Sequence, residues 1–171
     1  MRLALIAAAL LTWSCGGGPT CIARFFSRGH PGTTSGALSG PYDCKPVATY
    51  WRSSINTSVF AILAPLGSPD VSLAVSIYLP GELQPGHFRL TDPGAHGDIF
   101  VKAGAQSFVW EACAVGDCFD HAGGSYDLYL AGVTHAAAAS YGKTYEAHGT
   151  LDATLTSYSV FDPTLTLQVT F

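Results

Sequence analysis

The fold of this protein is decided by the stretch Val71–Leu79, which reads VSLAVSIYL. Its odd-numbered residues are all Val, Leu or Ile, and they alternate strictly with Ser, Ala, Ser and Tyr. Successive side chains of a β-strand point to opposite faces of a sheet, so a period of two indicates a strand with one buried face. A solvated second face is typical of antiparallel sheets, and we therefore expect an antiparallel all-β protein.

Other segments on both sides of this stretch carry similar strand signals, and turn residues separate them. They are Thr49–Ser53, Ser58–Ala64, His87–Thr91, Asp98–Lys102, Ser107–Cys113, Ser125–Val133, Thr144–Thr156 and Leu165–Phe171. About nine strands with short connections favour an antiparallel β-sandwich, jelly-roll-like, in which two sheets pack over one core. The one helix that the sequence suggests is the alanine run His135–Ser140, which has no clear amphipathic pattern.

The first residues, Met1–Cys15 (MRLALIAAALLTWSC), form a unit of their own. Arg2 supplies a positive charge, and Leu3–Leu11 is an uninterrupted apolar run. About 20 apolar residues are needed to cross a hydrocarbon core as a helix, so this run is too short for a transmembrane segment. A short basic start followed by a short apolar run and small residues is typical of a secretory signal.

The residues Leu11–Gly18 (LTWSCGGG) resemble the lipobox of bacterial lipoproteins, with Ser14 and Cys15 at the matching positions. The resemblance implies that residues 1–14 are removed and that Cys15 is diacylated. Two acyl chains hold a protein stably at a membrane. We therefore expect a lipid-anchored cell-envelope protein, anchored to the outer membrane and either periplasmic or surface-exposed. An ordinary secretory signal, with Cys15 free or in a disulfide, is the alternative.

Several short segments further along are similar to a pattern common in small bacterial surface lipoproteins. They are Ile77–Gly81, Pro85–Phe88, Gly123–Tyr126, Ala147–Leu151 and Val169–Phe171. This second resemblance implies a β-sandwich lipoprotein and brings no activity or site residues with it.

Three parts of the chain are expected from composition and from the lipobox. Residues 1–14 are the signal peptide, residues 15–45 are a tether with an irregular segment, and residues 46–171 are the β-sandwich domain. The tether begins with Gly16–Pro19, which has the composition of a flexible linker. The segment Gly29–Gly36 that follows has no hydrophobic period.

The chain contains 5 cysteines. With Cys15 assigned to the lipid, an even number is left for an oxidising compartment, which suggests two disulfides with three possible connectivities. We favour Cys113–Cys118, because the residues between them form a tight loop, and Cys21–Cys44, which would hold the N-terminal segment. Neither pair has the spacing of a zinc site.

Composition excludes some classes of function. Hydrophobic residues make up 48% and charged residues 12% of the chain, which is typical of a globular domain. The net charge is −4 and no run of Lys or Arg occurs, so nucleic acid is not expected as a partner.

No catalytic constellation, metal site or cofactor is predicted. The chain lacks the nucleophile elbow G-x-S-x-G of serine hydrolases. The glutamates Glu82, Glu111 and Glu146 are not visibly paired, and we expect them on solvated faces or in loops. Asp117 and Asp120 are weak candidates for calcium, although no EF-hand spacing surrounds them. The 6 histidines have no metal-ligand spacing and are expected to face solvent.

Aromatic residues are the remaining indication of function. The candidates are Tyr42, Tyr50, Trp51, Tyr78, Trp110, Tyr129 and Tyr141. Trp110 alternates in phase with Phe108 and is expected in the core, whereas Trp51 is a weak candidate for ligand binding. Exposed rings on a sandwich can stack on sugars or anchor a protein partner.

We therefore expect a non-catalytic, membrane-anchored binding module for an unknown envelope protein or glycan. A row of exposed, coplanar aromatics would favour a glycan, and an apolar patch would favour a protein. The alternatives are an integral outer-membrane β-barrel, suggested by the alternating C-terminal strand Leu165–Phe171, and an envelope hydrolase.

Overall fold

A computed structural model describes residues 21–27, 41–45, 47–65, 71–103, 108–114, 123–156 and 164–171. These residues form 11 strands and no helix, which confirms the prediction of an all-β, antiparallel protein. The strands are β1 (Ile22–Ser27), β2 (Pro41–Asp43), β3 (Val47–Arg52), β4 (Thr57–Pro65), β5 (Val71–Pro80), β6 (Gly86–Arg89), β7 (His96–Ala103), β8 (Phe108–Cys113), β9 (Ser125–Ala139), β10 (Gly142–Thr156) and β11 (Thr164–Thr170).

All strands belong to one sheet, with the order β2-β1-β11-β10-β3-β4-β5-β7-β8. The long strand β10 also pairs with β9, and β9 pairs with the short strand β6. A further pairing between Thr156 and Glu111 connects β10 with β8. Starting from β10, the pairings therefore run through β3, β4, β5, β7 and β8 and back to β10. The sheet thus curls around a common core.

The core is filled by the inward side chains of strands from all parts of this sheet. Its largest fully buried members are Trp110, Phe60, Ile62, Leu73, Ile77, Leu79, Ile99, Leu128, Leu130 and Leu151. In β5, the odd-numbered residues are buried and the even-numbered ones are half-buried or, at Pro80, exposed. The alternation at Val71–Leu79 is thus confirmed, and so is the burial of Trp110.

The N-terminal segment contains more regular structure than its sequence indicates. Ile22–Ser27, expected to be irregular, forms β1 and pairs with β11 along its whole length. The inward residues Ala23 and Phe25 are buried, but this alternation is too short to stand out among the surrounding polar residues. The predicted disulfide Cys21–Cys44 is present. Cys113 is disulfide-bonded too, but Cys118 lies outside the described residues, so the Cys113–Cys118 pairing stays a prediction.

Two further expectations are wrong. The alanine run predicted as a helix belongs to β9 up to Ala139 and pairs with β10, for example Ala138 with Lys143. Alanine favours helices only weakly, and a long partner strand overrides that preference. Glu111, expected on a solvated surface, is 2% exposed, on a strand that pairs with β7 and with the end of β10.

The described residues include no helix with the length and hydropathy that a membrane crossing requires. Cys15, Asp117 and Asp120 lie outside the described residues.

Candidate functional site

The outward face of β3, β4, β5 and β7 carries a line of aromatic side chains. Tyr50 pairs with Val59, Val59 pairs with Tyr78, and Tyr78 pairs with His96, so these positions share one level of the sheet. Tyr141, in the turn between β9 and β10, adds a ring next to Tyr50. We call Tyr50, Tyr78, His96 and Tyr141 the aromatic row. Because neighbouring strands lie about 4.8 Å apart, the row spans roughly 15 Å from β3 to β7.

Ring contacts connect the members of the row at both ends. Tyr78 and His96 are stacked, with centroids 4.9 Å apart and an interplanar angle of 9°. Tyr50 and Tyr141 meet edge to face, with centroids 5.8 Å apart. Tyr141 and His96 are exposed, whereas Tyr50 and Tyr78 are half-buried. The row therefore offers aromatic surface to solvent from side chains that hold one another in place.

Smaller side chains lie between and beside the two strand tyrosines of the row, on the same outward face. Ala48, Val59 and Ala61 form a buried cluster that is separate from the main core, and Tyr50 and Tyr78 pack against it. At the next level of the sheet the side chains are also small, since Ala61 pairs with Ser76. The two tyrosines thus pack against this outer cluster and do not belong to the main core.

Gly97 brings β7 close enough for the stack between His96 and Tyr78. Its φ is +131°, and a Cβ at this position would lie 1.9 Å from the carbonyl oxygen of Ser76. Only glycine tolerates this backbone conformation and so close an approach. The Nδ1 atom of His96 lies 3.4 Å from the carbonyl oxygen of Gly94, which further orients the ring.

Tyr50 is a neutral phenol, chiefly because it is partly buried. Partial burial raises the pKa of its phenol, and the neighbouring Tyr78 raises it further, while Arg52 acts in the opposite direction. A neutral phenol can both donate and accept a hydrogen bond. The row can therefore stack on the apolar face of a ligand and exchange hydrogen bonds with its hydroxyl groups.

A second aromatic cluster lies where the end of β3 pairs with the start of β10, and it contains the predicted candidate Trp51. We call Trp51, Asn56, Glu82, Lys143 and Tyr145 the Glu82 clasp. Glu82 Oε1 accepts hydrogen bonds from Lys143 Nζ at 2.7 Å and from the Tyr145 hydroxyl at 2.5 Å. Lys143 Nζ lies 5.5 Å from the centroid of the Trp51 ring, and Trp51 Nε1 donates to Asn56 Oδ1 at 3.2 Å. Both the ring face and the N–H of Trp51 are therefore engaged within the protein.

The charges of the clasp reinforce one another. Hydrogen bonds from Lys143 and then Tyr145 hold the pKa of Glu82 below its usual value. Burial, followed by the hydrogen bond to Glu82, raises the pKa of Tyr145. Glu82 is consequently a stable carboxylate and Tyr145 a stable neutral phenol. This arrangement ties the loop after β5 to β10 and leaves neither group suited to general acid–base chemistry near neutral pH.

The histidines that the structure describes lie at the surface. His87, His96, His135 and His148 are exposed, as expected of them. Among the described residues, no group of three or more His, Cys, Asp or Glu side chains could hold a metal ion. Sequence reasoning missed the row as a unit because its register depends on three strand pairings; the outward position of Tyr78 in β5 was the available signal.

No protein-family model, no curated protein and no solved structure matches this chain. Its function must therefore be inferred from its own residues.

Proposed function

We propose that this protein is a lipid-anchored, non-catalytic binding module of the cell envelope, held at the membrane through Cys15, and that it binds a neutral glycan on the aromatic row. The observation that supports the proposal is the alignment of Tyr50, Tyr78 and His96 at one level of the outward sheet face. Sugar rings present C–H groups on one face and hydroxyl groups at their rim, and aromatic rings with polar edges complement both.

A glycan fits this surface better than a protein does. A stable protein interface buries about 800 Å² on each partner around a well-packed apolar centre. Around the row, the outward residues of β5 are Ser72, Ala74 and Ser76, which offer little apolar area. Leu63 of β4, which pairs with Ala74, is a larger apolar side chain exposed on this face. A narrow line of rings bordered by small polar residues suits an extended, hydroxyl-rich chain.

The proposal of a non-catalytic role rests on the contacts of the histidines. A Ser–His–Asp arrangement needs a hydroxyl on one imidazole nitrogen and a carboxylate on the other. His87 lies 3.0 Å from Asp127 through Nδ1, which meets half of that requirement. Within the described residues, no Ser, Thr or Cys side chain hydrogen-bonds to His87. We therefore favour binding over hydrolysis.

Native affinity electrophoresis tests the binding proposal. The protein, purified with its own anchor in a non-ionic detergent, is run through gels containing xylan, mixed-linkage β-glucan or galactomannan. We expect retardation by at least one polysaccharide, loss of retardation in Tyr78→Ala, and its recovery in Tyr78→Phe, which keeps the ring. Equal migration in all three gels, or unchanged retardation of Tyr78→Ala, would contradict the proposal.

Mass spectrometry of the envelope-bound protein tests the anchor. We expect an N-terminal peptide that begins at Cys15 and carries acyl chains, and a Cys15→Ala variant that is no longer extracted with the membranes. An unmodified Cys15 in a membrane-associated protein would require another mode of attachment.

A further inference from the structure

A recess lies between β9 and β10, on strands that do not contribute to the aromatic row. The pairing of these strands ends at Leu130 and Gly149. They come close again at Gly124, where a Cβ would lie 2.4 Å from the carbonyl oxygen of Thr154. Between these points is a groove of about 330 Å³, which we call the β9–β10 groove. Its polar lining consists of Arg89, Ser125, Asp127, Asp152, Thr154 and Thr166.

On one side of the groove, Asp127 contacts Arg89 and His87. Asp127 Oδ2 accepts a hydrogen bond from Arg89 Nε at 2.9 Å, and Asp127 Oδ1 lies 3.0 Å from His87 Nδ1. The His87 ring in turn stacks on Tyr129, with centroids 4.4 Å apart. Partial burial raises the pKa of Asp127, but these two partners outweigh it and hold the pKa below its usual value. The Asp127 carboxylate and the Arg89 guanidinium are thus paired with each other at the groove.

The other side of the groove has polar groups with unused hydrogen-bonding capacity. Asp152 is exposed and pairs through the backbone with Gln168 of β11. Thr154 pairs in the same way with Thr166. In the described part of the chain, the side chains of Asp152, Thr154 and Thr166, and that of Ser125 on the β9 side, form no hydrogen bond or ion pair. A carboxylate and three hydroxyls therefore face the recess as acceptors and donors.

We propose that the β9–β10 groove is a separate binding site for a single polyhydroxylated ring, such as one sugar residue. Vicinal hydroxyl groups of the ligand donate to the carboxylate of Asp152, and the threonine hydroxyls and the Arg89 guanidinium bind the remaining ligand oxygens. The groove volume lies at the lower end of the range for small-molecule sites. A neutral polyol uses both the donors and the acceptors, whereas a bare cation would be repelled by Arg89 and would lack a third acidic, histidine or cysteine ligand among the described residues.

Saturation-transfer NMR and calorimetry on the full-length protein in non-ionic detergent test this site. The probes are methyl β-D-glucoside, methyl α-D-mannoside and myo-inositol, each titrated separately. We expect saturable binding of at least one probe. Asp152→Asn should weaken it by about tenfold, the effect of losing one charge-assisted hydrogen bond. Thr166→Val, which keeps the side-chain shape, should weaken it to a smaller extent.

One matched variant gives this test its specificity. Gln168→Ala alters the neighbour of Asp152 on β11 without changing the groove lining, and it should bind the probes as the wild type does. The inference is overturned if no probe binds saturably, if Asp152→Asn binds unchanged, or if Gln168→Ala loses as much affinity. Polysaccharide retardation should be lost in Tyr78→Ala and kept in Asp152→Asn, so failure of this site and failure of the proposed function are distinguishable.

Discussion

The aromatic row and the Glu82 clasp are both rich in aromatic side chains, but they differ in what those side chains contact. In the row, rings rest on Ala and Val and touch one another, and part of each ring faces solvent. In the clasp, the ring and the N–H of Trp51 meet Lys143 and Asn56, and the Tyr145 hydroxyl meets a carboxylate. Aromatic residues whose polar and apolar surfaces are already satisfied contribute to stability, whereas those with open surfaces can bind a ligand.

The largest expected effect is the loss of stability on Trp51→Ala. The substitution removes a half-buried indole that packs against the core and leaves Lys143 without its ring contact. We expect the free energy of unfolding to fall by about 2 kcal/mol, less than for a fully buried tryptophan, as measured by urea denaturation. Polysaccharide retardation should not change at a temperature where the variant is folded. If a folded Trp51→Ala variant lost retardation, Trp51 would take part in binding, and the clasp would not differ from the row in function.

A smaller effect is expected from Tyr145→Phe, which keeps the ring in the core and removes only the hydroxyl. The hydroxyl donates to Glu82 Oε1, and the residue is 5% exposed. We expect destabilisation of about 1 kcal/mol, the usual net contribution of a hydrogen bond to a charged group or slightly less. Thermal unfolding of Tyr145→Phe in the Glu82→Gln background serves as the control, because the hydroxyl then has no carboxylate to meet. Additive losses in the double variant would show that the two groups act independently.

In the aromatic row, Tyr141→Ala should have little effect on stability and should weaken polysaccharide binding. Tyr141 is 41% exposed and contacts Tyr50 edge to face. Its removal should cost about 0.5 kcal/mol of stability, as for other surface substitutions. Retardation by polysaccharide should nevertheless decrease, although less than for Tyr78→Ala, whose ring lies inside the row. A Tyr141→Ala variant with strongly reduced stability and full retardation would place Tyr141 with the clasp residues.

The two regions also differ in how far the sequence alone could reveal them. The alternation in β5 is local, so the outward position of Tyr78 could be predicted without knowledge of any other strand. Its alignment with Tyr50 requires the register of β3 with β4 and of β4 with β5, which hydrophobic periodicity does not specify. The clasp is less visible still, because Glu82 and Lys143 are 61 residues apart. Trp51 was a reasonable candidate by residue type, and only its contacts show how it is engaged.

The same limit explains the alanine run in β9. Ala136–Ala139 has no alternation because small side chains do not distinguish a buried face from an exposed one. The strand is specified by its partner, with β10 pairing at Thr144, Lys143 and Gly142. Local composition predicts secondary structure where side chains are large and patterned, and fails where a neighbouring strand supplies the constraint.

The smallest expected effect is a pH dependence that belongs to the clasp. Glu82 has a pKa below its usual value because Lys143 and Tyr145 donate hydrogen bonds to its ionised form. A carboxyl group whose pKa is lower in the folded state contributes stability above its unfolded pKa of about 4.3, and this contribution is lost as the pH falls through the folded value. The side chain is 40% exposed, so solvent screens the interaction and the effect should be modest.

Urea denaturation of the wild type and of Glu82→Gln between neutral pH and pH 3 measures this contribution. The wild type should be the more stable protein at neutral pH, and the difference should narrow as acid protonates Glu82. Asp127, whose pKa is also lowered, is present in both proteins, so its contribution cancels in the difference. Adding Tyr78→Ala to the wild type and to Glu82→Gln should change their free energies of unfolding equally at each pH, because the aromatic row contains no carboxylate. The difference in free energy of unfolding between wild type and Glu82→Gln could instead stay constant down to pH 3. The clasp would then hold its loop through packing and not through charge.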